Sequence, residues 1–430
     1  MSPFQFDDPD QYVHGTPHHE FRRLRREAPL AWQAAAGGEG DGFWLVTRYR
    51  DVVAISRNPE LFATSAPLLA DPLPREMWPA YPALAMLADN LMTFDPGRHA
   101  AFRPLANSLL SPAKLAETGN VRGICREIAA QVAGRSRFDF AEEVALRVPV
   151  EILLGAFLGI PRGDLAKVSE WVFTINAMDD PVFRPRDEDL LDAAEALFAY
   201  GIELNRRVKA SPREPTVISE LVHGAKLAGL TAEQLFLAYW FPLVAGAFDT
   251  TASTIAGGVQ ALLQFPDQLE RLRADPSLVP SAADEIVRWV SPVVYFRRTA
   301  TADTLYAGAQ IRKGQKVVLC YASANRDKEA FADPDTFDVG RTPNKHVSFG
   351  YGPHYCPGGR LGSLVVRAFL EEFADVLPSL RIDGPVVHTR SAWMNRIRRM
   401  PVRRHEASPP AEAGAGGDGS QVVQPRRAWI

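Results

Sequence analysis

Residues Phe349 to Gly358, FGYGPHYCPG, place a lone cysteine in a glycine-bearing loop just ahead of a helix-forming run. Three glycines, Gly350, Gly352 and Gly358, permit tight turns and let backbone N–H groups approach a flat ligand without Cβ clashes. A thiolate at Cys356 would accept those N–H bonds and face the positive end of the following helix. Both favour the charged form, which is built as a soft metal ligand or a nucleophile.

A single sulfur leaves several chemistries open. Cys356 can be a small buried hydrophobe. A nucleophile wants a base and an orienting partner, and His354, two residues away, is poorly placed on an irregular loop. Zinc wants more ligands than one cysteine and scattered histidines. Axial ligation of haem iron needs only one sulfur. Elsewhere, Glu285 and Arg288 share a helix face at i and i+3 and can form a charge-assisted pair. In Gly246-Ala247-Phe248-Asp249-Thr250-Thr251, small residues make room beside an acid and a hydroxyl. That pair can relay protons, or Thr250 can bond its own helix while Asp249 makes an ion pair.

Helices must position these groups. Asp95 followed by Pro96 predicts an N-cap and a helix over Gly97 to about Leu110, with His99 and Arg103 one turn apart. Thr231 with Gln234, and Ser281 with Asp284, read as capping boxes that open two more helices. Pro242 lies inside the first and predicts a kink. Gly358 and Gly359 introduce a helix with Leu361, Leu364, Val365, Ala368 and Phe369 on one side, closed by Pro378. Strands are few: one feeds a helix within Gly42 to Ala63, and a patch runs from Tyr295 to Tyr321 with turns at Gly308 and Gly314. One domain is expected over residues 1–405, with a disordered tail over 406–430 rich in Gly, Pro, Ala and Ser.

Composition narrows the class. With 46% apolar and 23% charged residues in 430, the chain can bury a large core, which excludes collagen-like, coiled-coil and disordered readings. A net charge of −3 gives no field for nucleic acid or an anionic bilayer. Cys125, Cys320 and Cys356 are too sparse for a disulfide framework, so a reducing, cytoplasmic compartment is expected. The acidic N-terminus does not read as an export signal. The longest apolar run, Leu235 to Phe248, falls short of the roughly 20 residues that span a bilayer, so no membrane partner is expected.

FGYGPHYCPG resembles FxxGxxxCxG, the haem-ligand signature of the cytochrome P450 family, and three further motifs occur in the family's order between roughly Asp10 and Arg404. The resemblance implies a mainly α fold: a helical triangular prism with a small β-rich region and haem b between two helices, the one opened at Thr231 and the one after Cys356. It makes Cys356 the iron ligand, sets Phe349, Gly350 and Gly246 around the haem, and gives its propionates to His99, Arg103, Arg298 and His354, with Arg297 as the alternative to Arg298. It casts Asp249 and Thr250 as the proton relay, and Arg341 as the further partner of Glu285 and Arg288. Ala247 departs from the usual glycine.

The implied activity is a monooxygenase that uses O2 to hydroxylate a hydrophobic terpenoid, steroid, lipid or secondary metabolite. Electrons would come from NAD(P)H through a ferredoxin or flavodoxin with its reductase, docking near Arg360 and Arg367. Oxidative coupling or ring closure is the alternative outcome, and a non-catalytic haem-binding protein a more remote one. Substrate contacts are expected from Met77 to Leu91, Phe248, Val293 to Phe296, and Ala392 to Met394.

Overall fold

Helix α1 (Pro96–Leu109) starts where the sequence places its cap: the Asp95 side chain accepts the Arg98 N–H, and Pro96 opens the first turn. The computed structural model describes residues 4–404 apart from 35–41, 65–82, 84–88, 119, 177–178, 184–185, 225 and 228. The expected tail, and most of the expected contact segment from Met77, lie outside the described residues.

At Thr231 the capping box forms in both directions with Gln234 and opens α2 (Ala232–Ala247). The helix continues through Pro242 and is interrupted at Phe248, where ψ stays near −40° but φ opens to −105°. Helix α3 (Asp249–Gln264) follows at once. The helix is thus interrupted six residues beyond the proline, beside the Thr250, Thr251 and Thr254 hydroxyls that donate to backbone carbonyls.

Together α2 and α3 are long and apolar enough to cross a membrane, yet 72% of their most apolar window is buried inside the protein. They form the axis of the main core. Trp240 shows how tightly it is packed: its indole N–H donates to the Leu197 carbonyl at 2.9 Å. A Cβ on Gly201 would come within 2.5 Å of that same nitrogen.

Helix α4 (Val279–Val290) corrects the second expected cap. It begins two residues before Ser281 with Pro280 in its first turn, and the Ser281 hydroxyl donates to the Leu278 and Val339 carbonyls instead. Helix α5 (Gly359–Glu372) follows the cysteine loop and buries Leu361, Val365, Ala368 and Phe369.

The β-rich region is a five-stranded sheet: β1 (Leu30–Gln33), β2 (Phe43–Val46), β3 (Phe62–Ala63), β4 (Tyr295–Ala300) and β5 (Lys316–Cys320), in spatial order β1-β2-β5-β4-β3. β2 and β5 run parallel, and β4 pairs antiparallel to β5 with Arg298 opposite Val317. Side chains alternate across a strand, so the neighbours Arg297 and Arg298 must face opposite ways.

Candidate functional site

One cavity lies between the α2–α3 break and the cysteine loop, with about 1630 Å³ of open space including its mouth. Cys356 lies on its floor, with Phe349, Gly350 and Gly358 around it. The loop is closed by the Cys356 N–H on the Phe349 carbonyl (2.8 Å) and the Tyr355 N–H on the Gly352 carbonyl (3.0 Å). Gly350 and Gly352 both adopt φ +72°, a conformation that costs other residues strain. Their neighbours differ. A Cβ on Gly352 would come within 2.4 Å of the Ser56 carbonyl oxygen, so this glycine lets the loop pack on the Tyr49–Ser56 helix. It does not bring backbone to a ligand, as its position in the motif had implied.

The sulfur also differs from expectation. Burial raises the Cys356 pKa, outweighing the backbone N–H groups of Gly358 and Gly359 and the Arg103 charge that pull it down. The chain alone thus favours the thiol. A cation at the sulfur would tip it to thiolate, so the site is chemically suited to a metal on this atom.

Around the rim stand four basic side chains. His99 and Arg103 come from α1, Arg298 from β4 and His354 from the loop, and all four line the cavity. Arg297 is not among the lining residues and donates to Thr299. The His99 and His354 rings lie 3.9 Å apart, tilted by 34°. Burial, aided by neighbouring positive charge, lowers His99 to about 4 and His354 to about 2, so both are neutral at pH 7. The Thr64 hydroxyl donates to the Phe94 carbonyl (3.2 Å), leaving its oxygen to accept from His354 Nε2 at 3.0 Å. Among the described residues, no Asp or Glu lines the cavity. Two arginines and two histidines without an acid fit a ligand that brings two carboxylates, as haem b does, so the residues present fit the group.

Above the floor, Gly246, Ala247 and Thr250 line the cavity and Asp249 does not. The Thr250 hydroxyl donates to the Gly246 carbonyl at 3.0 Å, Thr251 to Ala247 at 3.0 Å and Thr254 to Thr250 at 2.8 Å. Such back-bonding bends a helix. Asp249, 1% exposed, faces the other way. Its Oδ2 accepts from Asn176 Nδ2 (3.1 Å), and its Oδ1 lies 3.6 Å from Arg396 Nε. Both bonding patterns set against the relay at the sequence level are thus present. Asn176, Arg396 and Thr64 were not singled out from the sequence. Arg396 sits in the basic run MNRIRR, which reads as surface, yet its guanidinium lies 3.7 Å over the Phe173 ring.

The other cavity walls are apolar. Leu91, Val293 and Phe296 line the cavity as expected. Phe248 packs on Phe173 at 5.2 Å and Met394 pairs with Val293 across a β-bridge; neither Phe248 nor Met394 is among the lining residues. Ala392 belongs to the core under the N-terminal segment. Behind the floor, Glu285 and Arg288 are fully buried and joined at 2.7 and 2.8 Å. Arg341 Nε stands 3.1 Å from Glu285, and Asn344 and the Asp338 N–H complete its coordination. Arg288 and Arg341 spend their remaining donors on carbonyls of residues 325–336, which ties that loop to α4.

This fold and site define a class of haem-thiolate oxygenase. The family model that matches is "Cytochrome P450", over residues 205–374. Steroid C26-monooxygenase of Mycolicibacterium smegmatis is 32% identical over 97% of both chains. Its namesake from Rhodococcus jostii is 33% identical over 94% of this chain and 85% of its own. Mycobacterium marinum cytochrome P450 CYP268A2, solved in complex with pseudoionone, has a TM-score of 0.81 at 30% identity, covering 94% of this chain and all of that one.

The chain belongs to the cytochrome P450 family. It is a monooxygenase, an oxidoreductase that hydroxylates with O2, and its cofactor is haem b. Electrons reach bacterial members of this type from NAD(P)H through a separate redox partner.

Proposed function

We propose that this enzyme hydroxylates an unactivated carbon of a steroid, terpenoid or branched lipid. The observation that carries this is the position of Thr250, which opens onto an apolar-walled cavity with Cys356 on its floor. The steroid-named relatives and the pseudoionone-bound neighbour support the same class.

When bound, haem b supplies dioxygen binding and thiolate-assisted O–O cleavage. Cys356 would hold it through a sulfur kept anionic by the metal and by the Gly358 and Gly359 N–H groups. Arg103, Arg298, His99 and His354, which line the cavity, would hold its two carboxylates. The apolar walls, with Leu91, Val293 and Phe296 among them, exclude water and orient the substrate. Thr250, whose hydroxyl rests on the Gly246 carbonyl and opens onto the cavity, would give a proton to the cavity and take its replacement from water; Asp249, held by Asn176 and Arg396, would serve as the relay's second member only after taking a proton from water itself.

Electrons arrive from a ferredoxin or flavodoxin with its reductase in the cytoplasm. Arg360 and Tyr355, both exposed beside Cys356, belong to the docking face, whereas Arg367 lies 3.7 Å from Asp284 and is engaged there. The test is a reduced, carbonylated spectrum followed by a screen of sterols and terpenoids for a low-to-high spin shift. A hit should gain one oxygen in mass on turnover. Loss of two hydrogens instead would establish coupling, and a missing red-shifted Soret band would refute Cys356 ligation.

A further inference from the structure

A proline inside a helix withholds one N–H, and the carbonyl four residues earlier loses its donor. In α2 the residue is Pro242 and the carbonyl belongs to Ala238. That carbonyl does not go unpaired. The Leu91 N–H, from the segment leading into α1, donates to it at 3.2 Å. In mid-helix a carbonyl ordinarily receives the N–H four residues ahead, and here the proline leaves that place to the Leu91 N–H.

The segment it catches is built to be rigid. Asn90 is fully buried; its side-chain oxygen accepts the Met92 N–H (2.9 Å) and its carbonyl accepts from the Thr93 and Phe94 N–H groups. Thr93 returns a bond by accepting the Asn90 N–H at 3.0 Å. At the far end the Phe94 carbonyl is held by Thr64. Leu91, Met92 and Pro242 all line the cavity, so the bond joins two walls that a bound molecule touches.

We propose that Pro242 is a specificity-determining residue. By leaving the Ala238 carbonyl open it latches the Leu91–Met92 wall onto α2 and sets the width of the cavity above Thr250. An alanine at this position would supply the missing N–H, close the helical bond and release the wall. The latch is a statement about backbone bonding alone; its effect on specificity rests on the haem-enzyme reading above.

The test uses the full-length holoenzyme. In Pro242→Ala, hydrogen exchange at the Leu91 amide should speed up about tenfold or more, since its partner is gone. 4-Phenylimidazole, whose ring reaches the walls, should bind about fivefold more weakly, while imidazole, which coordinates without touching them, should change less than about twofold. Leu91→Pro removes the donor and leaves α2 untouched, and should reproduce the same selective loss should Pro242→Ala fail to fold. Unchanged Leu91 protection, or equal weakening of both ligands, would overturn the proposal. A preparation that takes up no haem would instead refute the haem reading, because the exchange measurement does not depend on it.

Discussion

Arg396 Nε stands 3.6 Å from Asp249 Oδ1, and the guanidinium lies against Phe173 and Phe183 rather than solvent. Around this pair, Asp249 Oδ1, Asn176 Oδ1, Arg396 Nη1 and, one turn along α3, Ser253 Oγ are buried without a hydrogen-bond partner. The acid next to Thr250 is therefore held in place by charge as well as by Asn176.

Removing the cation should leave a buried carboxylate uncompensated. Arg396→Met is expected to destabilise the protein by about 3 kcal/mol, measured by urea unfolding. The double variant with Asp249→Asn should recover much of that loss. A fully additive pair would show that the two groups do not interact.

Thr250→Ala removes a hydroxyl whose bond is to its own helix, so stability should change by less than about 1 kcal/mol. Product formed per NAD(P)H consumed should fall several-fold, with peroxide rising to balance. Full coupling in the variant would refute the relay role.

The two left-handed glycines of the loop should separate. Gly352→Ala forces a Cβ against the Ser56 carbonyl at positive φ and should cost about 2 to 3 kcal/mol by urea unfolding. Gly350→Ala meets nothing closer than 3.6 Å and should cost about 1 kcal/mol.

Acid should weaken the haem-free protein. His99 and His354 sit at about 4 and about 2 when folded against an ordinary 6.5, so below pH 6.5 the unfolded chain binds protons that the folded one refuses. Their contribution to stability is complete above pH 6.5 and is lost as pH falls, toward about 4 for His99 and on toward about 2 for His354. His354→Gln should flatten the urea midpoint between pH 6.5 and 4.5. Haem loading should flatten it too, because carboxylates beside the rings favour their protonation.

Glu285→Gln should cost about 3 to 5 kcal/mol in thermal or urea unfolding, since Arg288 and Arg341 would share a neutral amide in a buried site.

What was legible in the residues is what neighbours in sequence decide. The Asp95 and Thr231 caps, α5 after its glycines and the pairing of Glu285 with Arg288 all depend on contacts within a few positions, and all took the expected form. The same local rules failed where a distant partner competed. Ser281 found the Val339 carbonyl, and Phe248 found Phe173. Pro242 sits inside α2 without ending it, and the carbonyl that it frees accepts from the distant Leu91 N–H. Strand alternation narrowed the choice between Arg297 and Arg298 to one or the other. Which face looked into the cavity needed the sheet's placement against the loop.

The sequence by itself determined the family, the sulfur on the cavity floor and the basic groups that surround it, because each is written in residue types at short, fixed spacing. Only the tertiary structure decided that Thr250 faces the cavity while Asp249 turns to Asn176, 73 positions away, and to Arg396. Burial also decided that the Cys356 thiol resists ionisation without a cation. Those outcomes depend on desolvation and on partners from far along the chain, and neither can be counted from spacing.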